Sequence, residues 1–221
     1  WFVQGNLPGI FLFCPEHHQK FVVDTACSIG RKPCAACVVK GVDGFDKRRF
    51  ILVSKAASSL TYTLHSPDGD MGFPGNFDLT VIYTVTEDNA LNIEYVGKCD
   101  AKCYACITNH SYFNLNGFNS NILNHSVWMD VDAFLPLDND SIPTGEIAAV
   151  SDTPMDFTTA KTIGKEIDVD WEQLTMVGGY DHNFVIDNYD GTLRKIAETS
   201  ADGRTMEVYT DLPGVQFYTG N

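Results

Sequence analysis

The sequence predicts an all-β fold, a large antiparallel β-sandwich, and three observations carry that expectation. Short runs rich in β-branched and aromatic residues recur from Phe50 to Thr210. Several alternate apolar and polar with period 2, the pattern of a strand with one face in a core and the other in water. The segments between them are dominated by Gly, Pro, Asp and Asn, whose backbone preferences suit tight turns. One stretch, Ile163 to Leu174, reads weakly as helix, against the preference of its β-branched residues.

Residues 1 to about 40 carry no sustained period and are assigned no element; they mix apolar pieces (Ile10 to Phe13, Phe21 to Val23) with His17, His18, Cys14, Cys27, Cys34 and Cys37. From Phe50 the pattern is regular. Phe50 to Ser54 and Leu60 to His65 read as strands, and Ser66-Pro67-Asp68-Gly69 as the turn that follows, because Pro fixes φ and Gly accepts a positive φ. Phe77, Leu79, Val81, Tyr83 and Val85 alternate. Leu91 to Val96 alternates again after Glu87-Asp88-Asn89, so the two runs form a hairpin. Tyr104 to Ile107 reads as a further strand. Ser126 to Val131, Phe184 to Ile186, Leu193 to Glu198 and Met206 to Thr210 complete the set, with Asp187 to Gly191 and Ala201-Asp202-Gly203 as turns.

Composition narrows the function. A net charge of −14 over 221 residues, with a pI near 4.6, leaves no basic face for nucleic acid or an anionic membrane. A neutral ligand such as a sugar suits that surface. No apolar run approaches the ~18–20 residues of a spanning helix, and Trp1 to Cys14 lacks the basic n-region and small-residue site of a signal peptide. Seven cysteines, an odd number at irregular spacings, read as reduced thiols in a cytoplasmic protein. Cys99, Cys103 and Cys106, completed by Cys34 and Cys37, have spacings that suit zinc or an iron–sulfur cluster. A strand entering the next motif is a poor wrapper for a metal, however, and free Cys is a common buried hydrophobe, so no metal and no cofactor are expected.

Three stretches carry candidate chemistry. Thr108-Asn-His-Ser-Tyr-Phe-Asn-Leu-Asn-Gly117 places His110, which titrates near neutrality, among amide and hydroxyl groups and two rings. Asp181 and Asn183 share one face of a strand after Gly178-Gly179-Tyr180, with His182 on the other; a carboxylate and an amide together can grip vicinal hydroxyls. Each stretch has a plainer reading as well, a hydrogen-bonded structural histidine or a turn satisfied by its own side chains. In Pro213-Gly-Val-Gln-Phe-Tyr-Thr-Gly-Asn221, Gln216 and Tyr218 share a face.

Together these stretches resemble the aldose 1-epimerase (galactose mutarotase) family, in order and at similar spacing. Gly44-Phe-Asp-Lys47, Ser66-Pro-Asp-Gly-Asp-Met-Gly-Phe-Pro-Gly75 and Ile142-Pro-Thr-Gly-Glu146 fit it too, so the resemblance covers roughly residues 41 to 221. It implies the family's mutarotase-like antiparallel sandwich, an aldose as small-molecule ligand and no cofactor. It also implies interconversion of the α and β anomers of aldohexoses. One group takes the anomeric hydroxyl proton while another protonates the ring oxygen, and the opened chain rotates and recloses. By the same resemblance His110 is the general acid, Asp181 and Gln216 bind substrate, and Ser111 and Tyr112 line the pocket.

Two departures follow from the same comparison. The family's catalytic glutamate falls beyond the motif at 213–221, and its His-Gly-Gly segment reads here Val39-Lys40-Gly41. The expectation is therefore a domain over 41–221 incomplete at both ends, behind an unassigned segment 1–40. Its activity is impaired, or its role is that of a non-catalytic carbohydrate-binding sandwich. The oligomeric state is left open.

Overall fold

The computed structural model describes residues 2–3, 20–21, 44–103, 105, 107, 111–117 and 120–221. They fall in two compact units, Gly9–Asn109 and Trp1–Pro8 with His110–Asn221. Every strand pairing in both is antiparallel.

The strands in chain order are β1 (Phe2–Val3), β2 (Lys20–Phe21), β3 (Ile51–Lys55), β4 (Ser59–Ser66), β5 (Phe77–Val85), β6 (Leu91–Cys99), β7 (Ser126–Met129) and β8 (Val131–Phe134). They continue with β9 (Ala148–Ala149), β10 (Lys161–Thr162), β11 (Asp181–Ile186), β12 (Arg194–Ala201), β13 (Arg204–Thr210) and β14 (Gly214–Tyr218). A short helix, α1, spans Glu172–Val177.

The first unit holds one sheet in the order β2-β6-β5-β4-β3. The β5–β6 hairpin forms as the alternation requires, closing with Val85 opposite Leu91. Phe77, Leu79 and Val81 on β5 and Ile93, Tyr95 and Cys99 on β6 turn to one core that also takes Leu64 and Cys103. Val85 breaks the expected pattern: at the hairpin's end it is exposed.

The turn after β4 is braced by charge. Asp70 N–H closes it onto Pro67 O at 3.0 Å, with Gly69 at φ +79°. Arg48 meets the Asp70 carboxylate on both oxygens, 2.9 Å at Oδ1, and Ser66 Oγ donates to it as well. Those hydrogen bonds, Arg48 first, hold the Asp70 carboxyl down at about 2.

The expected strand from Tyr104 to Ile107 is not there at the described positions. Cys103, Ala105 and Ile107 are non-strand, and Tyr104 and Cys106 lie outside the described residues. The β-prone composition has another cause: Cys103 is buried, and Ala105 and Ile107 pack on the β5–β6 core. The edges of β6 are already taken by β5 and β2. Alternation here reports burial, not a ladder.

The second unit holds two sheets, β1-β14-β11-β8-β9 and β10-β7-β12-β13. The run expected as one strand over Ser126 to Val131 is two, split at Asp130. β7 belongs to the four-stranded sheet and β8 to the five-stranded one. Such a change of sheet makes a sandwich corner. Its backbone is satisfied from both sides: Asp130 N–H donates to Ile196 O at 2.9 Å, and Asp187 N–H donates to Asp130 O at 3.3 Å.

Asp187 marks the matching change between β11 and β12, its Oδ1 accepting from Asp132 N–H at 2.9 Å. The turn at 187–191 therefore joins different sheets. The turn at Asp202-Gly203 is a true hairpin, with both residues at positive φ and Ala201 opposite Arg204, the backbone a two-residue loop needs.

The expected helix over Ile163 to Leu174 survives only in part, as a 3₁₀ turn at Ile163–Lys165 and then α1. The N–H groups of Ile163 and Gly164 are spent on His125 O at 3.0 Å and Leu123 O at 2.8 Å, so the 3₁₀ turn is anchored on a neighbouring segment.

Edge-on rings make the core of this unit. Phe157 lies 5.2 Å from Tyr180, 5.4 Å from Phe217 and 6.3 Å from Phe184, centroid to centroid. Phe157 is fully buried, so Phe157→Ala is expected to lower unfolding stability by about 3–5 kcal/mol, read as a shift of the denaturant midpoint with the slope unchanged.

Candidate functional site

The site is set by the pairing of β11 with β14. Asp181 lies opposite Tyr218, His182 opposite Phe217 and Asn183 opposite Gln216. Since side chains alternate across a strand, Asp181, Gln216 and Tyr218 share one face while His182 and Phe217 take the other. Gln216 Nε2 donates to Asp181 Oδ1 at 2.8 Å across the diagonal. Burial pushes the Asp181 carboxyl above its usual value, and the Gln216 hydrogen bond pulls back against it.

An aromatic group stands beside this pair. Tyr112, 65% exposed, meets Tyr218 edge to face, with centroids 5.9 Å apart and planes at 61°. Burial, then Tyr218 and the Asp181 charge, raise the Tyr112 hydroxyl's pKa. Tyr218 was noted in the sequence only as sharing a face with Gln216; the register that sets it opposite Asp181 is a property of the fold. Ser111 is exposed in the same loop. His110 lies outside the described residues.

The loop that delivers Tyr112 is pinned by its own amides. Asn114 Nδ2 donates to Ser120 O at 2.7 Å, and its Oδ1 accepts from Asn116 N–H at 2.9 Å. Asn116 Nδ2 donates to Asn121 O at 2.8 Å and to Asn124 Oδ1 at 2.6 Å. His125, buried, accepts Leu115 N–H on Nε2 at 2.9 Å, and Arg204 caps Leu115 O at 2.8 Å. Asn114 is thus engaged within the loop, and Ser111, Tyr112 and Phe113 are exposed beside it.

The two glycines before β11 allow a close approach, and what approaches is the chain itself. Gly178, at φ +73°, closes α1 in a left-handed cap. A Cβ on Gly179 would stand 2.5 Å from Asn221 Oδ1. Asn221 Nδ2 in turn donates to Val177 O at 3.0 Å and to Tyr180 O at 3.2 Å. The 178–184 and 213–221 stretches are therefore one structural unit.

Among the described residues no group of three or more His, Cys, Asp or Glu side chains is placed to hold a metal. Cys103 Sγ donates to Cys99 Sγ at 3.2 Å, both buried, and burial pushes the Cys103 thiol up to about 12. Cys34, Cys37 and Cys106 lie outside the described residues.

Residues 41–221 match the aldose 1-epimerase family. The chain belongs to that family. It is 41% identical to the aldose 1-epimerase of Escherichia coli K12 over 184 residues, 82% of this chain and 53% of the relative. It is 40% identical to the galactose mutarotase of Bos taurus over 187 residues, 82% of this chain and 52% of that one. The crystal structure of galactose 1-epimerase from Lactobacillus acidophilus NCFM is similar with a TM-score of 0.71 at 27% identity, covering 80% of this chain and 52% of that structure. The chain thus spans about half the length of the relatives it matches, and over that half it has the mutarotase-like antiparallel fold.

Within this epimerase fold the histidine of the β11 motif has a structural part. His182 is fully buried against the edge of Phe134, centroids 5.9 Å apart. Its Nδ1 accepts Asp181 N–H at 3.3 Å, so Nε2 carries the proton and donates to Gln173 Oε1 at 3.3 Å. Gln173 is oriented by Leu137, whose N–H it accepts at 2.7 Å and whose carbonyl it caps at 3.0 Å. Burial pushes His182 down to about 3.

Two outcomes follow. The folded His182 binds its proton more weakly than the unfolded one, whose pKa is near 6.5. Its contribution is therefore whole above pH 6.5 and is lost as pH falls toward about 3, at up to about 1.4 kcal/mol per pH unit. Denaturant midpoints at pH 7 and pH 5 are expected to lie closer together in His182→Gln than in the parent, and an unchanged gap would refute this. Gly179→Ala, at φ +148° and against Asn221, is expected to cost about 1–3 kcal/mol of stability by the same measurement, with Gly191→Ala as a comparison without a clash.

Proposed function

We propose that the protein is an aldose 1-epimerase that interconverts the α and β anomers of aldohexoses such as galactose and glucose by acid/base ring opening. The observation that carries this is the Asp181–Gln216 pair, half-buried on one face of β11 and β14, in a chain of this family. A carboxylate hydrogen-bonded by a neutral amide keeps acceptor capacity for sugar hydroxyls, and the amide oxygen adds to it. Ser111 and Tyr112 border the same face.

His110 takes the part of general acid, protonating the ring oxygen as the anomeric hydroxyl gives up its proton. The group receiving that proton is the glutamate implied by the family resemblance, which corresponds to no position in residues 1–221. A cytoplasmic setting with reduced thiols fits the cysteine content.

Polarimetry of freshly dissolved α-D-galactose and α-D-glucose tests the reading. Protein carrying these residues together with the glutamate is expected to speed mutarotation. His110→Ala should lower that rate by about 10²–10⁴-fold, the usual worth of one positioned proton donor. Asp181→Asn is expected to weaken galactose binding by about 10-fold or more, the loss of a charged hydrogen-bond acceptor. Binding without acceleration would favour a non-catalytic carbohydrate-binding sandwich. Folded protein that does neither would sink the proposal.

A further inference from the structure

Tyr218 has no part in the mechanism above, yet it is the residue β14 sets directly opposite Asp181. Its ring is half-buried and meets Tyr112 at 5.9 Å. Its hydroxyl donates to Asn221 O at 3.3 Å, which ties it to the segment that anchors Gly179. Tyr112 has the opposite character, exposed and carried on a loop. One ring stands on a strand and the other on a loop.

We infer that Tyr218 is a positioning residue for the sugar site: it holds the Tyr112 ring beside the Asp181–Gln216 pair, so that the two tyrosines form one aromatic wall for the C–H face of an aldopyranose. The inference rests on the proposed epimerase reading and adds to it a division of labour. A pyranose has hydroxyls around its rim and C–H groups on its faces. The rim needs acceptors and donors, which Asp181 and Gln216 supply. The faces need flat apolar surface with a polar edge, which tyrosine supplies at low conformational cost. An exposed tyrosine on a loop supplies that surface only if another group limits where its ring goes. Tyr218 is placed to do so by strand register, on the same face as both polar contacts.

The test is titration of the purified protein with D-galactose, followed by calorimetry or by ligand-observed NMR, so that the readout is binding and needs no turnover. Tyr112→Ala is expected to weaken binding by about 3–10-fold, the worth of one aromatic contact, and Tyr218→Leu by a similar factor. Because Tyr218 acts through Tyr112, the double variant should bind no more weakly than either single one. Tyr218→Phe, which keeps the ring, should bind like the parent.

Additive losses in the double variant, or a Tyr218→Leu protein with parental affinity, would overturn the inference. Should Tyr218→Leu fail to fold, the comparison of Tyr218→Phe with Tyr112→Ala decides: a loss in Tyr218→Phe, or none in Tyr112→Ala, overturns it. Asp181→Asn in the same series separates the two levels. Loss there with none at the tyrosines removes only the aromatic wall, whereas no loss at Asp181 removes the sugar site on which it rests.

Discussion

β11 is hydrogen-bonded on both edges, to β14 and to β8, and its register decides what the site contains. A slip of one residue exchanges the two faces of a strand. Here it would put His182 among the pocket groups and press the Asp181 carboxylate into the space between Phe134 and Gln173. A charge buried there without a partner is far more costly than an apolar misfit. The rings of Phe134, Phe157, Tyr180, Phe184 and Phe217, packed edge to face or tilted from five points of the chain, fix that register. The polar site takes its accuracy from the apolar core behind it, and the Asn221 side chain fastens the same two segments at their open end.

A second constraint is the backbone where strands change sheets. Each corner leaves N–H and C=O groups outside a ladder, and buried groups of that kind must find partners. Asp130 and Asp187 answer this at adjacent corners, one through its backbone and the other through backbone and carboxylate together. The loop carrying Tyr112 meets the same demand with Asn114, Asn116 and His125. Those polar side chains are structural because the turns they fill have no ladder to use, and this leaves Tyr112 and Ser111 outward.

Wherever local period and turn chemistry agreed, the fold was legible from the sequence. The β5–β6 hairpin, the Asp202-Gly203 turn and the strand character of 184–186 and 206–210 follow from alternation, from β-branched and aromatic composition and from residues that accept positive φ. Three things were not legible, for physical reasons. Tyr104 to Ile107 has strand composition because alternate residues pack on a core, and period alone does not say whether a neighbour is there to bond. The break at Asp130 is invisible because β7 and β8 are both good strands; only their partners differ. The part of Tyr218 depends on which residue faces it across a ladder, and pairing between segments far apart in sequence leaves no local trace. The motifs located Asp181 and Gln216, but the bond between them is a product of register. His110, the residue the sequence singled out first, lies outside the described residues, so its part rests on the motif.

Two aspartates of this chain show how environment assigns a role. Asp70 has both oxygens engaged, by the Arg48 guanidinium and by Ser66, and its carboxyl is held far down. A carboxylate saturated by a cation is a brace: its lone pairs are used, and its charge is neutralised where it stands. Asp181 is more deeply set in its surroundings, yet its one side-chain hydrogen bond among the described residues comes from a neutral amide. An arginine in place of Gln216 would secure Asp181 more firmly and would also spend it. With glutamine the carboxylate keeps an oxygen to offer and a negative charge to strengthen whatever hydroxyl donates to it. The cost is the burial of a charge answered only in part, which is why its carboxyl is pushed up where that of Asp70 is pushed down. A group kept under-satisfied at the surface of a well-packed sheet suits the sugar contact proposed for it.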